Sequence, residues 1–161
     1  LEAAKANKKL VAGLDTSTPF NLATYEAPYI VYKDGYYYMF VSSGSCCEGL
    51  NSTYHVRVGR STEPLGPYYD DQGRDMCGEN RGAVVLQASA DFVGVGHNAV
   101  IQDDAGNWYI VYHGFDTDKP GTYGNSNRRS LLIDKLEWDG DFPQTKDKIA
   151  GKSGMPLPVI K

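Results

Sequence analysis

The sequence predicts an all-β fold, and within that class part of a β-propeller, on three observations. Gly 18 and Tyr 12 in 161 residues, with aromatics at 12%, describe short strands and many turns rather than a helical bundle. Asp34-Gly35 separates two β-rich runs, a strong hairpin signal. A whole hairpin-like segment then recurs about 70 residues further along the chain.

The elements follow in order. Residues 1–10, LEAAKANKKL, have helix-favouring composition and read as a short surface helix or a leader. Residues 15–21, with Ser17, Thr18 and Pro19 clustered, read as loop. Residues 29–32 and 36–41 are strands joined across Lys33-Asp34-Gly35. Residues 54–61, YHVRVGRS, alternate apolar and polar side chains as a half-buried strand does, and end in the turn-rich PLGPYYDDQG.

Bulk properties exclude several classes. A net charge of −4 and a pI of about 5.3 argue against a basic nucleic-acid binder. Hydrophobic residues at 41% and charged ones at 22% describe an ordinary globular chain of one domain. No apolar run approaches the ~18 residues of a membrane span. The chain opens on Leu1 with no basic region followed by an apolar stretch, so it reads as a processed product or a piece of something longer.

Cys46, Cys47 and Cys77 are odd in number, and adjacent cysteines do not supply zinc-motif spacing. A bridge from Cys46 or Cys47 to Cys77 is one expectation. Asn51-Ser52-Thr53 is a glycosylation acceptor in any chain that enters a secretory pathway. Both features favour a secreted or periplasmic location.

Without a gap, GHNAVIQDDAGNWYIVYH repeats the pattern of YEAPYIVYKDGYYYMFVS: Ala27 falls on Asn98, Ile30 on Ile101, Gly35 on Gly106, Tyr38 on Tyr109. Units of this kind, each a small antiparallel sheet, cover one another's faces when stacked around an axis. A propeller needs about four to eight blades, so the chain is part of a ring completed elsewhere, or else a small β-sandwich with a coincidental repeat. In the propeller, Glu26 and His97 occupy matching positions before the inner strands and meet in one funnel. Tyr25, Ala27, Pro28 and Tyr29 around Glu26 form an apolar aromatic setting, which would favour a protonated carboxyl able to donate to a leaving group. A surface glutamate and a hydrogen-bonded structural histidine are the plainer readings of the same two residues.

The ordered strings EAPYIVYKDGYYYMFVSSGSCCEG, STYHVRVGRS, GPYYDDQG, GVGHNAV, WYIVYHGFD and LEWDGDFP resemble the C-terminal part of an arabinanase of glycoside hydrolase family 43. The resemblance runs from Tyr25 to Pro143 and implies a five-bladed β-propeller, of which about two to three blades lie in this chain. Residues 1–24 would be a leader, linker or end of a preceding blade, and residues 25–161 the C-terminal blades. It implies inverting hydrolysis of α-1,5-linked L-arabinan or arabino-oligosaccharides, with Glu26 as the general acid. His97 would sit under the substrate pocket and help to hold a calcium ion, largely through water. Ser45, Cys46 and Cys47 match a loop near that pocket, and Tyr25, Tyr29 and Phe115 are candidates for stacking on sugars. Trp138, Asp139, Phe142 and Pro143 match a structural closing turn, and Arg128 or Arg129 a basic residue leading into it.

An inverting glycosidase needs a second carboxylate about 6.5 to 9.5 Å from the acid to activate water. The family's base aspartate and a further aspartate that tunes the acid precede the EAP motif, and Asp15 matches neither. The expected partners are therefore arabinan and an N-terminal portion of the propeller that carries both aspartates. The alternatives are a β-xylosidase or α-L-arabinofuranosidase of the same family, and a non-catalytic carbohydrate-binding propeller fragment. Endo or exo action is not legible in the sequence.

Overall fold

The structure is a computed structural model and describes residues 8–14, 25–124, 126–138, 140–151 and 155–161. Residues 1–7, Asp15, the expected loop and Asp139 lie outside the described residues, and residues 8–10 are not helical.

Four strands, β1 (Glu26–Lys33), β2 (Tyr36–Ser43), β3 (His55–Ser61) and β4 (Ala83–Leu86), form one antiparallel sheet in that order. Asp34 and Gly35 both have positive φ, 50° and 88°, as a two-residue turn matched to strand twist requires. The second sheet runs β5 (Phe92–Gln102), β6 (Trp108–Asp116), β9 (Ser130–Lys135), with a small ribbon, β7 (Thr122–Tyr123) and β8 (Ser126–Asn127), in the connection before β9. The repeat is real but not perfect. Tyr38 pairs with Val31, whereas its equivalent Tyr109 pairs with Ile101, one position away from the equivalent of Val31. The longer turn around Asp103 absorbs the slip.

The two sheets bury a common core. Phe40, Val56, Val58, Val85 and Leu86 meet Val95, Val100, Ile110 and Tyr112 there. Each large apolar side chain removed from water contributes about 1.5 to 3 kcal/mol. The other face of the first sheet carries Met39, Val41, Tyr68 and Met76, with Val11, Ala12 and Tyr25 against them. Successive residues of β2 point to opposite faces, so a strand covered on both reads as an unbroken apolar run. The second sheet's other face is covered only in part, at Tyr109 and Phe115: Leu131 is 81% exposed, and Ile101 and Ile133 are exposed as well.

The predicted closing turn is structural. Trp138 meets the ring of Tyr38 edge-on at 4.9 Å, and Arg60 packs over Phe142 while pairing with Asp141 at 2.9 Å. At the far end of the β5–β6 hairpin, Asp103 accepts hydrogen bonds from the backbone N–H groups of Ala105, Asn107 and Val159. No helix among the described residues is long and apolar enough to cross a membrane.

Candidate active site

Glu26 opens β1 opposite Ser42, and the register then slips before Tyr29, where Ala27 has φ 50°. Pro28 has no N–H to give to the ladder, so a bulge here costs little pairing and re-aims the carboxylate. His97 sits in a matching irregularity of β5, with slips on both sides of Gly96 and φ 56° at His97 itself. The His97 N–H donates to Ser42 Oγ at 2.9 Å. Ser42 thus faces Glu26 across the ladder and holds the backbone of His97, and the structure brings the two residues to one end of adjacent sheets.

Behind them runs a row of rings. Tyr54, 1% exposed, donates its hydroxyl to Glu26 Oε1 at 2.7 Å. Its ring stacks on His113 at 5.8 Å and 17°, and His113 lies beside His97 at 6.2 Å. Burial, followed by the Glu26 carboxylate, holds the Tyr54 phenol well above its usual pKa, with the Ser42 hydroxyl opposing. Burial, and after it Arg129 and His97, push the His113 imidazole down to about 4, so it is neutral at physiological pH.

The rim is built from the loop after β2 and the short segment between β8 and β9. Cys46 and Cys47 are bonded to each other. Arg129 donates to the Cys46 carbonyl at 3.2 Å and to Cys47 Sγ at 3.4 Å. Ser45 shares hydrogen bonds with Thr53 and Glu48. Beside this loop a cavity of about 280 Å³ is lined by Leu50, Phe115, Thr122, Asn127 and Arg128 among others.

Four expectations are corrected. Cys77 takes no part in a disulfide: it follows Met76 on the segment that covers the first sheet's other face, and its thiol faces the Leu10 carbonyl. Tyr25 packs into that same cluster, its hydroxyl donating to the Arg81 carbonyl and accepting from the Arg81 N–H, so it does not face the site. Phe115 is 3% exposed and the Arg129 guanidinium lies over its ring at 5.1 Å, so it lines the wall without offering a free face. Glu26 is exposed rather than enclosed by its sequence neighbours, because Tyr25 turns away and Tyr29 is itself exposed.

A hard cation such as calcium takes about six to eight oxygen ligands. Among the described residues no three His, Cys, Asp or Glu side chains group as a metal site. His97 and His113 offer nitrogen, and the Glu26 carboxylate is already engaged by Tyr54. These three side chains supply no such oxygen set, so a hard cation beside His97 would be met through water.

The sequence did not single out Tyr54 or His113, and offered Arg128 or Arg129 only as a basic residue leading into the closing turn. Tyr54 looks like one more aromatic at a strand start. Its meaning depends on Gly96, where a Cβ would come within 2.3 Å of the Tyr54 ring. Only the absence of a side chain there lets β5 lie against that ring.

The profile of the glycosyl hydrolases family 43 matches residues 2–143. The chain is 39% identical over 127 residues to an extracellular exo-α-(1→5)-L-arabinofuranosidase of Cellvibrio japonicus, covering 78% of this chain and 34% of that protein. It is 35% identical over 125 residues to an extracellular endo-α-(1→5)-L-arabinanase of Bacillus subtilis, covering 78% and 35% respectively. The chain therefore spans about a third of the length of these curated relatives. Its structure superposes on a Cellvibrio cellulosa α-L-arabinanase complexed with arabinohexaose with a TM-score of 0.72 at 36% identity, over 86% of this chain and 44% of that one. An endo-arabinanase of Bacillus licheniformis superposes with a TM-score of 0.67 at 37% identity, over 84% and 42%. The two sheets are blades of the five-bladed β-propeller these arabinanases share. With most of its residues matched by the family profile and its sheets by arabinanase structures, the chain belongs to glycoside hydrolase family 43.

Proposed function

We propose that this chain is part of an arabinanase that hydrolyses α-1,5-linked L-arabinan or its oligosaccharides with inversion. The observation that carries the reading is the Glu26 carboxylate, exposed at the end of β1 beside His97 and anchored through one oxygen. A carboxyl group so held can deliver its proton to a glycosidic oxygen. As the C–O bond breaks, that oxygen leaves as a hydroxyl and a water attacks the opposite face of the sugar, its proton passing to a carboxylate base.

The base, and the aspartate that tunes the acid, belong in this reading to an N-terminal portion. Residues 25–161 are then the C-terminal blades and residues 1–24 a linker or the end of a preceding blade. The exposed apolar face of the second sheet supports a further blade there, since an isolated apolar sheet face is an association liability. His97 forms part of the pocket floor, and Ser45 and Cys46 stand at its rim. Calcium enters only as an ion held by His97 through water, and no step runs through it. Extracellular relatives and the Cys46–Cys47 bond support a secreted or periplasmic location.

The test is hydrolysis of debranched arabinan by this chain combined with its N-terminal portion, with the anomers of the first products resolved by NMR. Inverted arabino-oligosaccharides or arabinose are expected. The size of those products also separates endo action, as in the Bacillus relative's name, from exo action, as in the Cellvibrio one's. Affinity for arabinan with no turnover would instead mark a carbohydrate-binding fragment.

A further inference from the structure

We propose that Tyr54 is a positioning residue for the acid: its hydroxyl occupies Glu26 Oε1, so the proton given to the leaving group is the one on Oε2. This rests on the reading of Glu26 as general acid and adds to it which oxygen acts and what aims it.

Tyr54 is held on every side. Its N–H donates to the Ser45 carbonyl at 3.0 Å and its own carbonyl accepts from the Val95 N–H at 3.1 Å, so its backbone is fixed between the rim loop and β5. The ring is fixed from below by Gly96, where even a methyl group would come within 2.3 Å, and along its face by His113 at 5.8 Å. At 1% exposure it has no freedom to turn into solvent. The hydroxyl therefore has fixed partners: it donates to Glu26 Oε1, 2.7 Å away, with the Ser42 hydroxyl beside it.

Glu26 by contrast is an exposed side chain on a bulged strand end, free to sample several rotamers without that contact. Proton transfer is sensitive to such freedom, since about 1 Å of misplacement can cost on the order of 100-fold in rate. An oxygen that accepts the phenol's hydrogen bond has a lone pair in use. That oxygen keeps a second lone pair, but it is turned toward a buried side chain, and Oε2 of the exposed carboxyl is the oxygen left to meet the leaving group.

The experiment uses the completed propeller, with Tyr54→Phe, Glu26→Gln and the double variant, on two substrates. One is debranched arabinan, whose leaving group needs protonation. The other is an aryl α-1,5-arabinotrioside with a nitrophenolate leaving group, which does not. Tyr54→Phe should lower kcat on arabinan by roughly 10- to 100-fold at near-constant KM and change the aryl substrate by less than about 3-fold. Added to Glu26→Gln it should cost nothing further, because both act through one proton transfer.

Equal losses on both substrates, additive losses in the double variant, or no loss on arabinan would each overturn the proposal. If Tyr54→Phe does not fold, 3,5-difluorotyrosine at position 54 keeps ring and hydroxyl while altering donor strength. A changed rate on arabinan alone supports the proposal, and an unchanged one overturns it. Should the wild-type protein leave arabinan intact, or Glu26→Gln act at full rate, the acid reading itself fails and this inference falls with it.

Discussion

Gly96 is the residue on which the site's geometry turns. Any side chain at this position must displace the Tyr54 ring, which is pinned by its own backbone bonds and by His113. Gly96→Ala should destabilise the fold by about 1 to 3 kcal/mol, the usual penalty of overpacking, read as a lowered urea midpoint at unchanged m-value. An unchanged midpoint would mean the ring has room that the packing denies. Thiol chemistry gives a second check at the same scale. With Cys46 bonded to Cys47, one thiol per chain should react with a thiol reagent before reduction and three after it. At this scale the sequence announced Glu26 and His97 through their equivalent places in a repeat. It could not announce Tyr54, because what distinguishes that tyrosine from its eleven fellows is the packing of its ring against Gly96 and His113 of the other sheet.

Hairpins were the most legible elements. Asp34-Gly35 carries its turn in its chemistry, and β1, β2 and β3 follow from β-rich runs and alternation. Less legible were β4 and β9, short strands whose assignment comes from pairing with β3 and β6 rather than from local pattern. The β5–β6 turn also binds the C-terminal segment, which no local signal foretells. Desolvation works against the Asp103 carboxylate, but hydrogen bonds from the Val159 N–H, the Asn107 side chain and backbone, and the Ala105 N–H bring it down to about 2. An aspartate depressed in the folded state lends its stability above the unfolded pKa and loses it as pH falls through the folded one. The amide resonances of Val159 and Asn107 should therefore hold steady above about pH 4 and shift together as pH approaches 2. Asp103→Ala should free the Val159 N–H at neutral pH, seen as faster amide exchange at that position, while the β5–β6 core stays protected.

On the scale of the whole molecule, two blades share one core and leave apolar surface at Leu131, Ile133, Tyr29, Ile30 and Tyr32. Alone, the chain should bind a hydrophobic dye and self-associate with rising concentration; with the N-terminal portion proposed for it, it should give a one-to-one complex by native mass and lose the dye. A chain that stays monomeric and dye-free alone would contradict the incomplete-ring account. The repeat made this architecture readable, since each unit needs a neighbour to cover it. The remaining blades were readable only as a need.

The most direct measurement is the rate at which the completed propeller cleaves debranched arabinan when Glu26 is replaced by Gln. A loss on the order of 100- to 10,000-fold, with the fold and arabinan affinity retained, is the expected result for a general acid. A rate equal to that of the unaltered protein would show that the carboxyl held by Tyr54 gives no proton to the sugar.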